Sequence, residues 1–414
     1  MRSARFMRDE YDILIVGGGM VGASLAAALA PLPVRVAVIE AFPPASAAQP
    51  SYDDRSTAVA HGSRKIFEAM GCWQALAEAA TPIERIHVSD RGRFGFARLD
   101  ADDFGTDALG YVVENRRLGQ ALWRVLGEAG DTDLLCPARV CGVESQPHRA
   151  LVDVALDGGR MVTLRAALVV AADGARSPVR EQLRIPVTIR DYGQTALIAN
   201  VTPAEPHGNE AFERFTDHGP LAMLPLSAGR CSLVWTLPPD LAQEISESAD
   251  ARFLDDLQSA FGYRLGRLTR VGQRQTYPLK LAQARQQSSG RVLLIGNACH
   301  SLHPVAGQGF NLGMRDVASL ADVVCDAVAG GDDPGAVDVL ERYQAWREQD
   351  HKRVVSFTDS LVRLFTNPLA PVKAARGLGL LGLDLLPGAK TRFARQSMGL
   401  AGRLPRLARG IALT

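Results

Sequence analysis

The chain has 414 residues, 47% of them hydrophobic and 22% charged, which suits a soluble globular protein of more than one domain. A formal net charge of +1 argues against a general nucleic-acid binder. Six cysteines without a CxxC pair read as reduced thiols of a cytosolic protein, and no apolar run reaches the roughly 18–20 residues of a membrane span. The N-terminus, MRSARFMRDEYD, lacks the apolar stretch of a signal peptide.

The first predicted element is a strand in YDILIV, 11–16. It runs into the glycine turn and alanine-rich helix of GGGMVGASLAAALA, and a second strand follows in VRVAVIE, 34–40. Strand, turn, helix and strand make a βαβ unit of a parallel sheet. The turn carries Gly17, Gly19 and Gly22 in the GxGxxG spacing, and Glu40 ends the second strand. Such glycines permit a tight turn, close approach of a pyrophosphate and close helix–strand packing, while the acid can accept from ribose hydroxyls. This context predicts a dinucleotide with an unphosphorylated ribose, FAD or NAD.

Asp53-Asp54-Arg55-Ser56-Thr57 reads as the cap of a following helix, with Ser56 or Thr57 as N-cap. Alternation in 83–96 and 192–236 predicts an antiparallel sheet. Glu114-Asn115-Arg116-Arg117 opens another helix, where an arginine either clamps a phosphate or is simply solvated. AALVVAA, 166–172, is a buried strand followed by Asp173-Gly174, with Ser177 and Arg180 downstream. An Asx-type turn capping a short helix is the plain reading of that loop.

Near the end, RVLLI, 291–295, is a further buried strand. The stretch GNACHSLHPVAGQGFNLGMRD follows, with Gly296, Gly307, Gly309 and Gly313 crowded together. Each glycine in regular structure costs roughly 0.5–1 kcal/mol relative to alanine, so close approach of a ligand is expected here. The helix after it would direct its N-terminus at developing negative charge. His300 and His303 lack a third ligand nearby, so packed histidines are expected and no metal. From about Val317 the pattern stays helical. Residues beyond His351 include 11 Lys or Arg and two acids, a net +9 that leaves about −8 on the remainder. A basic tail on an acidic body suggests an acidic partner or a membrane surface, against a plain packed helical subdomain.

Together the GxGxxG turn, the Asp173-Gly174 loop and the Gly296-Asn297 loop resemble the group A flavoprotein aromatic hydroxylases, the class of para-hydroxybenzoate hydroxylase. DDRSTAVAHGSRKIFEAMG, GYVVENRRLGQAL, GPLAMLPL and GQGFNLGMRD extend the resemblance to the ubiquinone-biosynthesis branch. Asn297 stands where that family usually has aspartate; the asparagine form looks most like the 2-polyprenyl-6-methoxyphenol hydroxylases. Asparagine keeps an acceptor oxygen and nearly the same shape.

The resemblance implies an α/β (α+β) fold: a Rossmann-like FAD-binding domain with a parallel sheet (10–80, 111–190 and 283–350), an inserted, mostly antiparallel substrate domain (81–110 and 191–282), and a helical basic C-terminal region (351–414). By the same resemblance, FAD lies on Gly17, Gly19, Gly22 and Glu40. Arg55, Asn115 and Arg116 sit near the flavin and its phosphates, and Asp173, Gly174, Gly296 and Asn297 support it. Pro304, Gly307, Gly309 and Asn311 line the ring, with Arg55, Pro304 and Gly307 as the ring-lining candidates. NADH or NADPH would reduce the flavin, O2 would add at C4a as a hydroperoxide, and a prenylated phenol would be hydroxylated. No second dinucleotide fingerprint appears, so the nicotinamide donor is expected to bind transiently. A membrane surface or a ubiquinone-biosynthesis complex is the expected partner, with a cytoplasmic or peripheral inner-face location. The alternatives are hydroxylation of another aromatic, an FAD oxidase or dehydrogenase, or a prenyl-binding protein without activity.

Overall fold

The computed structural model describes residues 8–44, 46, 49, 51, 55–128, 132–303, 307–366 and 369–413. The strand Glu10–Val16 lies at the centre of a parallel sheet, between Val36–Ile39 and Met161–Ala171, with Val292–Leu294 and Thr132–Leu135 further out. Its residues are apolar without alternation because both faces are covered. Ile13 and Ile15 pack with the helices Met20–Leu29, Asn115–Glu128 and Gln308–Gly330, whereas Leu14 and Val16 pack with the antiparallel hairpin Ala138–Ser145 and Ala150–Leu156. The helix Met20–Leu29 is buried from Gly22 to Leu29, and its small residues let it lie close on the sheet.

The second sheet is antiparallel except for one parallel pair, Glu210–Phe215 with Arg85–Asp90. Its longest strand, Val187–Pro203, pairs with Cys231–Leu237 on one side and Gln275–Ala284 on the other. The helices Pro239–Glu247 and Asp250–Phe261 cover one face, where Phe253 and Leu257 of the second helix pack with Leu197 and Leu233 of the sheet.

A third sheet, of three strands, corrects one expectation. Ser56 and Thr57 do not cap a helix; they lie in the strand Ser56–Ala60, paired with Gly110–Glu114, and the helix begins only at His61. Their hydroxyls reach across the fold, Ser56 Oγ to Ser232 Oγ at 2.6 Å and Thr57 Oγ1 to Asn115 Oδ1 at 2.7 Å. Small hydroxyl residues satisfied by a ladder and by distant partners have no need of a helix amide. Asp53 and Asp54 lie outside the described residues.

The basic tail folds back on the acidic body. Val362, Phe365 and Leu380 pack with Val88, Ala97 and Phe215 of the second sheet. Arg376 meets Asp90 at 3.0 Å, with both side chains buried. Lys390 pairs with Asp103 at 2.6 Å, and Arg406 pairs with Asp322 and Asp326. Much of the charge asymmetry seen in the sequence is therefore neutralised within the molecule. Leu369, Leu378, Leu385 and Leu386 remain exposed on the tail, as does Phe94 beside Gly377. Among the described residues no helix is long and apolar enough to cross a membrane.

Candidate active site

The glycine turn is built by the absence of side chains. A Cβ at Gly22 would lie 1.9 Å from the Gly17 carbonyl oxygen, and one at Gly17, where φ is +98°, would lie 2.6 Å from that of Ala172. Gly18 N donates to Glu40 Oε2 at 2.6 Å, and Phe42 N donates to the other oxygen at 2.8 Å. The buried Glu40 carboxylate thus ties the turn to the end of the second strand. Among the described residues no side chain caps the helix that starts at Met20, and such an end suits a ligand's negative charge.

Two more loops meet this turn. Asp173 Oδ2 accepts from Val179 N at 3.2 Å and Ser177 Oγ from Arg180 N at 3.0 Å, so the loop does cap the short helix Pro178–Gln182. The other oxygen of Asp173 is buried, with no hydrogen-bond partner among the described residues, and burial raises the pKa of this carboxyl. Arg180 donates to Ala175 O and Ala298 O, each at 2.8 Å, and so clamps this loop to the turn Gly296–Ala298. Asn297 projects from that turn and is exposed.

The four glycines of the late stretch divide by role. Cβ atoms at Gly296 and Gly313 would lie 3.1 and 3.0 Å from the methyls of Val21, so these two permit close packing around the fingerprint helix. Gly307, with φ of +59°, forms the N-cap of the helix Gln308–Gly330, and among the described residues no side chain caps that helix or lies within 4 Å of where a Gly309 Cβ would be. The helix begins at Gln308, so Gly309 and Asn311 belong to its first turn rather than to a loop. The Asn311 amide donates to Ala58 O and Gly307 O and accepts from Ala60 N and Ser63 Oγ, which exhausts its capacity. This side chain holds the strand Ser56–Ala60 to the helix.

Behind these loops Asp316 organises a buried charge cluster. Its Oδ1 accepts from Arg347 Nε at 2.8 Å and lies 2.7 Å from His351 Nε2, while its Oδ2 lies 2.7 Å from His300 Nε2 and accepts from Gly296 N at 3.3 Å. Burial alone would raise the Asp316 carboxyl, but His351, Arg347 and His300 hold it well below the usual range. The expectation that His300 lacks further ligands therefore needs correction: Asp316 and His351 bring three candidate donor atoms within 4.8 Å of one another. Because Arg347 already places a cation on Asp316, the arrangement reads as an ion-pair network.

The loops open onto one cavity of about 1190 Å³. That exceeds the roughly 300–1,000 Å³ that holds a single drug-sized ligand, leaving room for a large cofactor and a substrate together. Gly19, Arg55, Asn115, Asp173, Gly174, Gly296, Asn297, Gly307, Gly309 and Asn311 line it. Arg55 stacks its guanidinium 4.9 Å from the Tyr277 ring. Gly17, Gly22 and Glu40 stand behind the lining, Arg116 is exposed outside it, and Pro304 lies outside the described residues. The rest of the lining was not anticipated. The second sheet contributes Ile198, Glu213, Ala222 and Val234, and the tail contributes Leu361, Leu364, Arg376, Leu380, Leu383 and Phe393.

Residues 10–358 match the family described as FAD binding domain. The chain belongs to this family. Within the FAD-binding family it is 40% identical to the ubiquinone hydroxylase UbiL of Rhodospirillum rubrum, across 97% of this chain and 93% of that protein. It is 34% identical to the 3-demethoxyubiquinol 3-hydroxylase of Escherichia coli, across 94% and 98%. Its fold is that of p-nitrophenol 4-monooxygenase PnpA from Pseudomonas putida, with a TM-score of 0.79 at 19% identity over 96% of this chain and all of that one. The site fits FAD on its own observations: a glycine cradle that a Cβ would fill, two uncapped helix N-termini and an unpartnered Asp173 oxygen.

Proposed function

We propose that this flavoprotein monooxygenase hydroxylates the ring of a prenylated phenol in ubiquinone biosynthesis, consuming O2 and NADH or NADPH. The observation that carries this reading is a continuous cavity, which runs from the glycine loops to an apolar wall of Ile86, Val88, Leu99, Leu361, Leu380 and Leu383. A ring can sit beside the cofactor while its chain lies along that wall. The identity to UbiL adds weight to the substrate class.

Bound FAD supplies the chemistry, activating O2 and delivering an electrophilic oxygen atom to the ring. The chain positions and protects it. Gly17, Gly19 and Gly22 admit the pyrophosphate to the helix N-terminus, and Glu40 steadies that turn and faces the ribose. Arg55 and Asn115, which line the cavity, would serve the flavin and its phosphates, with Arg116 beside them outside the lining. Asp173, Gly174, Gly296 and Asn297 would support the cofactor's middle, and Gly307, Gly309 and Asn311 would lie along the ring. The apolar wall keeps water from the reacting oxygen. We take residues 10–80, 111–190 and 283–350 as the cofactor domain, 81–110 and 191–282 as the substrate domain, and 351–414 as the helical region that closes it. The exposed Leu378, Leu385 and Leu386, with Arg98 paired to the adjoining Asp384, suit a peripheral approach to a bilayer.

The test is turnover of a geranylated methoxyphenol by the FAD-loaded protein with labelled O2. Hydroxylated product carrying one labelled oxygen per NAD(P)H is expected. Hydrogen peroxide as the sole product would favour an oxidase, and a protein that stays colourless after reconstitution would favour a prenyl-binding role.

A further inference from the structure

Among the described residues of the second sheet that line the cavity, Glu213 is the one ionisable side chain. The strand Glu210–Phe215 pairs in register so that Glu213 stands beside Val88 on one side and Ala222 on the other, and the row continues through Val234 and Ile198. All five line the cavity. Among the described residues no hydrogen bond or ion pair reaches the Glu213 carboxylate. The neighbouring His87 and Arg214 alternate to the opposite face, where His87 packs on Phe96 and Phe212. Among the described residues, the cavity's other ionisable lining groups are Arg55, Asp173, Arg176 and Arg376, and Arg376 is committed to Asp90. A half-buried carboxyl that faces the cavity without a partner among the described residues is poorly solvated there, which points to a partner that arrives with the substrate.

Resting on the hydroxylase reading above, we propose that Glu213 is a catalytic residue that accepts the proton of the substrate's phenolic hydroxyl. The phenol O–H bond breaks toward the carboxylate, and the electron pair left on oxygen enriches the ring for attack by the electrophilic oxygen atom. When the ring carbon has received that atom, its C–H proton moves to the new oxygen, which becomes the second hydroxyl, and aromaticity returns. Glu213 then gives its proton back to the phenolic oxygen. O2, the nicotinamide's hydride and one proton supply the remainder, and water and oxidised nicotinamide leave. Burial alone pushes the Glu213 carboxyl up to about 7, where a general base is both available and strong enough to act.

The test compares the FAD-loaded wild type with Glu213→Gln and Glu213→Asp, using geranylated methoxyphenol as the probe. For the wild type, kcat/KM for hydroxylation should rise with pH through about 7, as the carboxyl ionises. Glu213→Gln should lose that limb and on the order of 10²-fold in rate, with NAD(P)H diverted to hydrogen peroxide, while Glu213→Asp should keep the limb. Binding is followed separately through the flavin absorbance change on adding the phenol. Its Kd should vary with pH across the same range in the wild type and stay flat in Glu213→Gln. Product yield within twofold of wild type in Glu213→Gln, or an unchanged pH dependence of binding, overturns the role. A wild type that binds with this pH dependence yet forms no hydroxylated product contradicts the hydroxylase reading and leaves the proton contact standing. Failure of the wild type to bind the phenol overturns both.

Discussion

The wall that carries Gly19, Gly174, Asn297 and Gly309 presents backbone and small groups to the cavity, whereas the wall of Val88, Glu213, Val234, Leu380 and Phe393 presents side chains. The first draws on three loops that each follow a strand of one parallel sheet, so their geometry is set by the sheet register. The second combines a separate sheet with helices from the end of the chain, held together by apolar contacts and by ion pairs such as Arg376–Asp90. A cofactor common to many substrates needs the first kind of surface. The second kind is where substrate shape and proton chemistry are chosen.

Substitution on each wall should separate the two roles. The largest effect is expected from Gly22→Ala, whose Cβ would lie 1.9 Å from a carbonyl oxygen. The purified protein should hold no flavin after reconstitution, as read from its visible spectrum. Next comes Asp316→Asn, which takes one of the two carboxylates from the buried Arg347 and leaves it Asp350 alone, and should cost about 3–5 kcal/mol in urea unfolding. The sign with pH follows from a folded pKa held well below the ordinary 3.8. The carboxylate's contribution is complete above pH 3.8 and is lost as the pH falls through its lower folded value. The variant's deficit should therefore be full at pH 7 and shrink in strong acid.

Arg376→Ala removes one partner of the buried pair with Asp90, and it should loosen the tail wall while leaving the cofactor wall in place. Faster proteolysis after Thr366 and a higher KM for the prenylated phenol are expected, with flavin affinity kept within about threefold of wild type. Equal loss of flavin would show that the two walls are one unit. The smallest effect is expected from Asn297→Asp, since the side chain is exposed at the cavity and its shape is conserved. Flavin affinity within a few-fold of wild type, measured by fluorescence titration, is the expected result.

The same division explains what could be read before any coordinates. Gly17, Gly19, Gly22, Asp173-Gly174 and Gly296-Asn297 act locally, through missing Cβ atoms and helix starts, so short spacings disclose them. Asn311 was legible as a site residue, but its role was not, because its four partners come from Ala58, Ala60, Ser63 and Gly307. Ser56 was misread as a cap because its true partner, Ser232, is 176 residues away. Asp316 and His351 joined His300 only through helix packing. Glu213 is one acid in an alternating strand, and nothing in EAFERF marks it until the sheet face is known. The tail's positive charge was visible, but the acids that neutralise it are scattered over the body.

Val21 sits between the Gly296 turn and Gly313, its two methyls touching the positions where both lack side chains. It therefore acts as a spacer gauge: one branched residue sets the separation between the helix Met20–Leu29 and the helix Gln308–Gly330. Shortening or lengthening it by a methyl would tilt those helices relative to each other, so the two ends of the cofactor groove would lose alignment together, even though neither ligand-facing surface had been altered.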